Sequence, residues 1–144
     1  MSFQWLQQRI QEEKDRRRRE SITLERLPGA LEELHGILKD CIDSYKSVFP
    51  QETIESVLLP SRIKVTVRES EELRAAQVRK VEVIIAPELP GFRVDRGDQA
   101  IPIELGLLGN DRLYYRDLER DRYLNMEDLT RRILDPLLFP KLRE

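Results

Sequence analysis

A stripe of apolar residues that repeats every three and a half residues dominates the N-terminal third of this 144-residue chain. Between residues 24 and 48, apolar residues recur at alternating spacings of three and four without interruption. Such a repeat marks one face of an α-helix that is buried against another surface, in the same chain or in a second one. We call these residues the heptad stripe: Leu24, Leu27, Leu31, Leu34, Leu38, Cys41, Tyr45 and Val48.

The same register continues backwards to the start of the chain with one interruption. Ile10, Leu6 and Phe3 fall on it, whereas the register positions between residues 10 and 24 hold charged residues. Trp5 adds a second aromatic ring to this first segment, and a disordered chain terminus normally favours small polar residues. These side chains form a hydrophobic surface patch unless something covers them. We therefore expect the N-terminal apolar cluster to be an interface: Phe3, Trp5, Leu6 and Ile10.

The length of the predicted helix limits how the chain can be arranged. A continuous helix from Ser2 to Val48 is about 70 Å long, whereas a compact domain of this size is about 40 Å across. Pro28 cannot donate a hydrogen bond to the carbonyl of Leu24, so a kink or a break is expected there. Either the chain folds back near residues 20–29, or its first part extends beyond the domain. The second arrangement predicts a homodimer through the N-terminal helix, or contact with an unidentified protein partner.

A charged run follows the N-terminal apolar cluster and contains four consecutive arginines. Within a helix these side chains point in four directions, so they form no single basic stripe for a nucleic-acid groove. The chain has a net charge of -2, which argues against a general polyanion binder. A solvated helix is favoured, nucleic-acid binding is not expected, and a phosphate-binding accessory role is kept as an alternative. That alternative would use Arg16, Arg17, Arg18 and Arg19.

From residue 60 onwards the apolar pattern changes to a period of two, which is typical of strands with one face on a core. The polar stretch 70–77 suits a hairpin connection, and the turn residues at 109–111 favour another. Five strands are predicted, the third of them short: 63–67, 81–85, 92–94, 101–107 and 113–115.

The last helix has clear start signals. Asn125 is a favourable N-cap residue, and Asp128 stands at the third helical position. Leu129 and Ile133 begin an apolar stripe that points inwards, and Pro136 is expected to kink or end the helix.

Together these elements predict an α+β fold. It has two N-terminal helices or one long kinked helix, an antiparallel sheet of four to five strands, and a C-terminal helix. The helices cover one face of the sheet. Residues 1–22 are expected to be a charged helical extension, and residues 23–144 a single α+β domain.

The segment 111–123 is rich in arginine, tyrosine and acidic residues. Two arginines and a tyrosine gathered on one side of a loop can hold a small anion or a carboxylate. Alternating charges are also what an exposed loop ordinarily carries, so a salt-bridged loop that ties the sheet to the last helix is the competing interpretation. The candidate anion-site residues are Arg112, Tyr115, Arg116 and Arg120.

Known catalytic and metal-binding patterns do not occur in the chain. His35 is the only histidine and Cys41 the only cysteine, too few for a zinc site within one chain. Cys41 is expected to be a buried structural thiol. The spacing of Glu82, Asp95 and Glu104 gives no support to a carboxylate metal site, and no glycine-rich phosphate loop occurs. No catalytic, cofactor-binding or metal-binding residue is predicted, and no cofactor.

Composition narrows the class of protein further. No apolar run approaches the roughly 20 residues that cross a bilayer, and no signal peptide is recognisable. The single cysteine excludes an internal disulfide framework, and a cytoplasmic protein is expected. The favoured interpretation is a non-enzymatic protein-protein interaction or dimerisation module of unknown cellular role. A small-ligand-binding or catalytic domain that uses segment 111–123 stays open as an alternative.

Overall fold

The computed structural model describes residues 3–68 and 78–140. Within them a long helix, α1 (Gln4–Val48), comes before a seven-stranded sheet, and a second helix, α2 (Met126–Leu138), follows it. The strands are β1 (Thr53–Leu59), β2 (Arg62–Arg68), β3 (Val78–Ala86), β4 (Gly91–Asp95), β5 (Ala100–Leu107), β6 (Leu113–Asp117) and β7 (Arg122–Leu124).

Each strand pairs antiparallel with the next one along the chain, so the spatial order of the strands equals their sequence order. The predicted turn at 109–111 joins β5 to β6. There the Leu108 N–H donates to the carbonyl of Arg112 at 2.8 Å, and Asp111 adopts a positive φ of 61°. The connection expected at 70–77 lies outside the described residues, while β2 and β3 on either side of it are antiparallel partners.

Both helices pack on the same face of the sheet. α1 contacts β1, β2, β3 and β5, so it crosses most of the sheet, and α2 contacts β3 and β7. The strand side chains beneath the helices are almost all apolar and fully buried, as Val65, Val83 and Ile103 are. The other face carries charged residues such as Lys64 and Glu82, which are opposite each other in neighbouring strands. The predicted α+β fold with an antiparallel sheet is therefore confirmed.

The sheet has two more strands than the five that the period of two predicts. β1 lacks a clean alternation, because Val57, Leu58 and Leu59 are consecutive apolar residues and all are exposed at the edge of the sheet. β7 spans only three residues within a charged segment. Its backbone pairing with β6 makes it a strand, and no local pattern in the sequence signals that pairing.

α1 continues through Pro28, so the two-helix alternative and the fold-back near residues 20–29 are wrong. Pro28 is exposed, and Leu24, whose carbonyl loses its helical donor, is 36% exposed. A carbonyl near the solvent-facing side of a helix can bind water instead. The 45 residues of α1 extend about 68 Å.

Only the middle of the heptad stripe is buried on the sheet. An α-helix has 3.6 residues per turn, so a repeat of 3.5 residues drifts by about 20° per heptad around a straight helix. The stripe therefore leaves the sheet at both ends of α1. Four central leucines are at most 1% exposed: Leu27, Leu31, Leu34 and Leu38.

The ends of the heptad stripe are exposed because the stripe drifts around the helix and away from the sheet. Leu24 and Val48 are both exposed, while Ile42, which is not on the stripe, is buried. Cys41 is exposed as well, so the prediction of a buried structural thiol is wrong.

α2 begins as predicted. The Asn125 side chain accepts a hydrogen bond from the Asp128 N–H at 2.7 Å. Leu129 and Ile133 face the core and are completely buried. Pro136 does not end the helix, which continues to Leu138. Neither described helix combines the length and the apolar character that crossing a membrane requires.

Because burial differs along α1, replacing a leucine with alanine should lower the free energy of unfolding by different amounts at different positions. Leu34→Ala and Leu38→Ala should each lower the free energy of unfolding by about 2–5 kcal/mol, because each removes a core side chain and leaves a cavity. Leu24→Ala is the matched control on the half-exposed side of the helix and should cost less than about 1 kcal/mol. Urea denaturation measures all three, and equal losses would contradict the packing of α1 described above.

Candidate functional site

The first part of α1 is exposed along most of its length. Its second half runs beside the domain, because residues 12–20 line a pocket of about 510 Å³ together with Leu89, Pro90, Tyr114 and residues 104–107. From Gln4 to Ser21 every residue is exposed except Glu13 and Glu20, which are half-buried, and Thr23 is the first buried residue. These five turns extend about 27 Å. We call residues 4–21 the overhang.

The N-terminal apolar cluster stands at the tip of the overhang. Its four side chains are between 42% and 66% exposed. Phe3, Leu6 and Ile10 are spaced by three and four residues and share one helix face, whereas Trp5 points about 100° away from Leu6. An exposed apolar patch surrounded by polar residues is typical of an interaction surface.

Ion pairs within the helix stiffen the stretch between this patch and the domain. Glu13 contacts Arg16 at 2.6 Å and Arg17 at 3.1 Å, and Arg16 also contacts Glu20 at 2.7 Å. Pairs at these spacings stabilise a helix. The hydrogen bonds from Arg16, followed by those from Arg17, lower the pKa of Glu13 to about 2. The overhang therefore carries its apolar tip on an ordered helix.

These ion pairs predict a pH dependence. Replacing both Arg16 and Arg17 with glutamine should raise the pKa of Glu13 from about 2 towards its ordinary value of 4.5. Since the folded-state pKa is depressed, the helix stability that Glu13 contributes is present above pH 4.5 and is lost as the pH falls through about 2. NMR titration of the Glu13 carboxyl carbon measures the shift. Arg9→Gln, which removes a pair with Glu12, is the control, and an unchanged midpoint in the double variant would refute these pairs.

An apolar groove lies at the opposite end of α1, between that helix and α2. Its volume is about 590 Å³. The Tyr45 ring is 4.9 Å from the Phe49 ring and 5.5 Å from the Phe139 ring, and its hydroxyl donates to Glu52 at 2.6 Å. Val48 at the groove edge is 68% exposed. We call this feature the α1–α2 groove. Its main lining residues are Cys41, Tyr45, Val48, Phe49, Leu134 and Phe139.

The structure does not bring the four predicted anion-site residues together. Tyr115 is buried on the helix side of β6, where burial raises the pKa of its phenol. Arg116, the next residue, is on the opposite face and is hydrogen-bonded to Asp121, which raises the pKa of Arg116. Arg112 is exposed after the β5–β6 turn, and Arg120 is exposed between β6 and β7.

Of these four residues, Arg120 lines a polar pocket of about 450 Å³ beside α2. Arg131 in this pocket pairs with Asp135 at 3.4 Å. Because acidic side chains offset the arginines, the pocket has little excess charge with which to hold an anion. The charged residues that line it are Asp117, Arg120, Arg122, Asp128, Arg131, Arg132 and Asp135.

Asp117 ties this charged segment to α2. It is completely buried at the end of β6, and its Oδ1 accepts the backbone N–H groups of Glu119 at 2.9 Å and Arg120 at 3.1 Å. Its Oδ2 accepts from Arg132 of α2 at 3.0 Å, and Arg132 also binds Glu119 at 2.9 Å. These contacts support the interpretation that salt bridges tie this segment to the last helix, but residues 113–117 and 122–123 of it are strands rather than a loop.

The buried Asp117–Arg132 pair predicts a large loss of stability. Asp117→Ala should lower the free energy of unfolding by about 3–5 kcal/mol, because Arg132 loses its buried partner and keeps only the exposed Glu119, and two backbone N–H groups lose their acceptor. The control is Glu88→Ala, which removes an exposed pair with Arg93 and should cost less than about 1 kcal/mol. Thermal or urea denaturation compares the two. A loss for Asp117→Ala as small as that for the control would mean that the pair does not hold α2 in place.

Of the acidic residues considered for a metal site, Glu82 and Asp95 are opposite each other in β3 and β4, and Glu104 lies in β5. Glu82 pairs with Arg62 at 2.8 Å, and Glu104 accepts from the Tyr114 hydroxyl at 3.2 Å. Among the described residues, no group of three or more histidine, cysteine, aspartate or glutamate side chains is placed to hold a metal ion.

Comparison of the chain with protein-family models, with curated proteins and with solved structures finds no match in any of the three. Among the described residues, two exposed features are candidates for a function: the overhang with its apolar tip, and the α1–α2 groove.

Proposed function

We propose that the protein is a non-enzymatic protein-protein interaction module that forms a homodimer through the overhang of α1. The observation that carries this proposal is the exposure of the N-terminal apolar cluster at the end of a continuous helix that extends beyond its own domain. Apolar anchors spaced by three and four residues on one helix face are the usual means by which a helix docks in a groove.

The stiffness of the overhang favours binding. A flexible tail loses conformational entropy when it is ordered at an interface, and this loss weakens the complex. The overhang is helical before binding because it continues α1 and carries its own ion pairs between Glu13, Arg16 and Glu20. Its apolar tip can therefore bind with little further ordering.

Because the interacting chains are identical, a closed two-fold dimer is the simplest assembly that they can form. Two copies that exchange their overhangs around a two-fold axis bury both apolar tips and leave neither free to bind a third copy. Exchange without such an axis would produce an open chain of molecules. The compartment that we propose is the cytoplasm, since an exposed and unpaired thiol such as Cys41 persists in a reducing environment.

Light scattering coupled to gel filtration tests the proposal at micromolar protein concentrations. The intact chain should run as a dimer, and both the Trp5→Ser, Leu6→Ser double variant and a chain lacking residues 1–20 should run as monomers. These changes remove interface anchors without touching the buried core.

The matched control removes two exposed apolar residues elsewhere. Val57 in β1 and Leu108 beside the β5–β6 turn are 45% and 48% exposed, so Val57→Ser with Leu108→Ser should leave the dimer intact. An intact chain that stays monomeric at tens of micromolar would contradict the proposed homodimer. A dimer that survives in the Trp5→Ser, Leu6→Ser variant would show that a different surface holds it.

A further inference from the structure

We propose that the edge strand β1 pairs antiparallel with β1 of a second copy, so that the sheets of two molecules join into one. The pairing is centred on Ser56, and its two-fold axis is perpendicular to the sheet. This contact is separate from the overhang and goes beyond the proposed homodimer. Three properties of the described residues support it: outward backbone groups, side chains that match in one register, and complementary charge.

β1 forms one edge of the sheet, and within the described residues it pairs with β2 alone. A two-residue turn at Pro60 and Ser61 joins the two strands, so Leu59 and Arg62 on either side of it form a hydrogen-bonded pair. Such pairs occur at every second residue of an antiparallel ladder. The residues between them point their backbone N–H and C=O groups away from β2: Ile54, Ser56 and Leu58.

This edge lacks the features with which proteins usually prevent sheets from joining. Those features are short edge strands, prolines, lysines and β-bulges. β1 has seven residues, its register with β2 is uninterrupted, and Glu55 is its only charged residue. β7 at the opposite edge has three residues, among them the exposed Arg122. Of the two edges, β1 is therefore the one that offers a template for another strand.

One antiparallel register satisfies the outward backbone groups and the side chains together. When Ser56 is opposite Ser56 of the second copy, Ile54 is opposite its Leu58, and Leu58 is opposite its Ile54. Each of these pairs exchanges backbone hydrogen bonds, because all of the paired residues point outwards. Ile54 is buried on the helix side of the sheet, and Leu58 on the same side is 38% exposed. The register therefore places each exposed Leu58 beside an apolar residue.

The same register brings opposite charges together on the other face of the sheet. Glu55 of the second copy is opposite Val57, and Val57 is opposite Lys64 in β2. Glu55 and Lys64 are both exposed, and the ion pairs of the described residues include neither of them. Their Cα atoms are about 10 Å apart across this row, which the two long side chains span over the short Val57. Because an identical chain supplies this carboxylate on both sides of the axis, charge complementarity favours a second copy.

A contact between two strands is small. Interfaces below about 1,200 Å² are typical of weak and transient complexes. We therefore expect β1 to pair at millimolar protein concentrations, whereas the overhang is expected to bind at micromolar ones. In the intact chain the β1 contact joins homodimers to one another.

The overhang variant Trp5→Ser, Leu6→Ser separates the two contacts, because it leaves β1 unchanged. Sedimentation equilibrium on this variant should show monomers at micromolar and dimers at millimolar concentrations. Isotope-filtered NOE spectroscopy on a mixture of labelled and unlabelled chains identifies the register. We expect a contact between the Hα atoms of Glu55 and Val57 of different copies, because their Cα atoms are about 4.5 Å apart in this register.

Ser56→Pro in the same background tests the backbone pairing. The Ser56 N–H points outwards, so proline removes no hydrogen bond from the ladder between β1 and β2. It removes a donor from each side of the central pair and should weaken dimerisation by about tenfold or more. Ser56→Thr keeps the N–H and is the matched control, which should dimerise like the overhang variant. Thermal unfolding checks that both variants fold.

Charge reversal tests the register without a change in the backbone. Glu55→Lys or Lys64→Glu alone places like charges together twice around the two-fold axis and should weaken dimerisation. The double variant with both changes should recover it, because the opposite charges have exchanged places. If Ser56→Pro does not fold, these variants and the NOE contact decide.

An overhang variant that stays monomeric at millimolar concentrations would overturn the β1 pairing, whatever the oligomeric state of the intact chain. A dimer without the contact between Glu55 and Val57, or one that a folded Ser56→Pro chain forms equally well, would overturn it too. The state of the intact chain at micromolar concentrations tests the overhang separately, so the failure of one contact leaves the other standing.

Discussion

The packing of four leucines of α1 on the sheet fixes the direction of this helix and therefore the position of both its ends. Leu27, Leu31, Leu34 and Leu38 are fully buried near the middle of a 45-residue helix. A continuous helix is stiff, so burying its middle also fixes the direction of both its ends. The overhang and the α1 side of the groove are consequences of this one contact.

The mismatch between the heptad repeat and the geometry of a straight helix explains which apolar residues stay exposed. Because the stripe drifts around α1 by about 20° per heptad, the sheet can bury only its central part. The residues beyond that part, such as Leu24 and Val48, lie on the flanks of the helix. A repeat that looks like a single buried surface thus becomes a buried middle and two exposed ends.

The two charged segments of the chain have different environments, although they look alike in sequence. In the overhang the ion pairs of Glu13 with Arg16 and Arg17 are exposed, and such pairs contribute little to global stability. In the segment after β6, Asp117 and Arg132 are almost completely buried, so each depends on the other. The difference between the two segments is burial rather than the number of charges: the overhang is a solvated helix, whereas the buried pair after β6 holds α2 on the sheet.

Local periodicity and local hydrogen bonding were enough to predict the α+β fold, five of the seven strands, the Asn125 cap and the burial of the central leucines of α1. The exposure of the N-terminal apolar cluster was one of two arrangements that the sequence allowed. The three-dimensional structure was needed to show that α1 passes through Pro28, that Cys41 is exposed and that β7 is a strand. It also created the groove beside α2. These features depend on contacts between distant segments, which residue spacing alone does not specify.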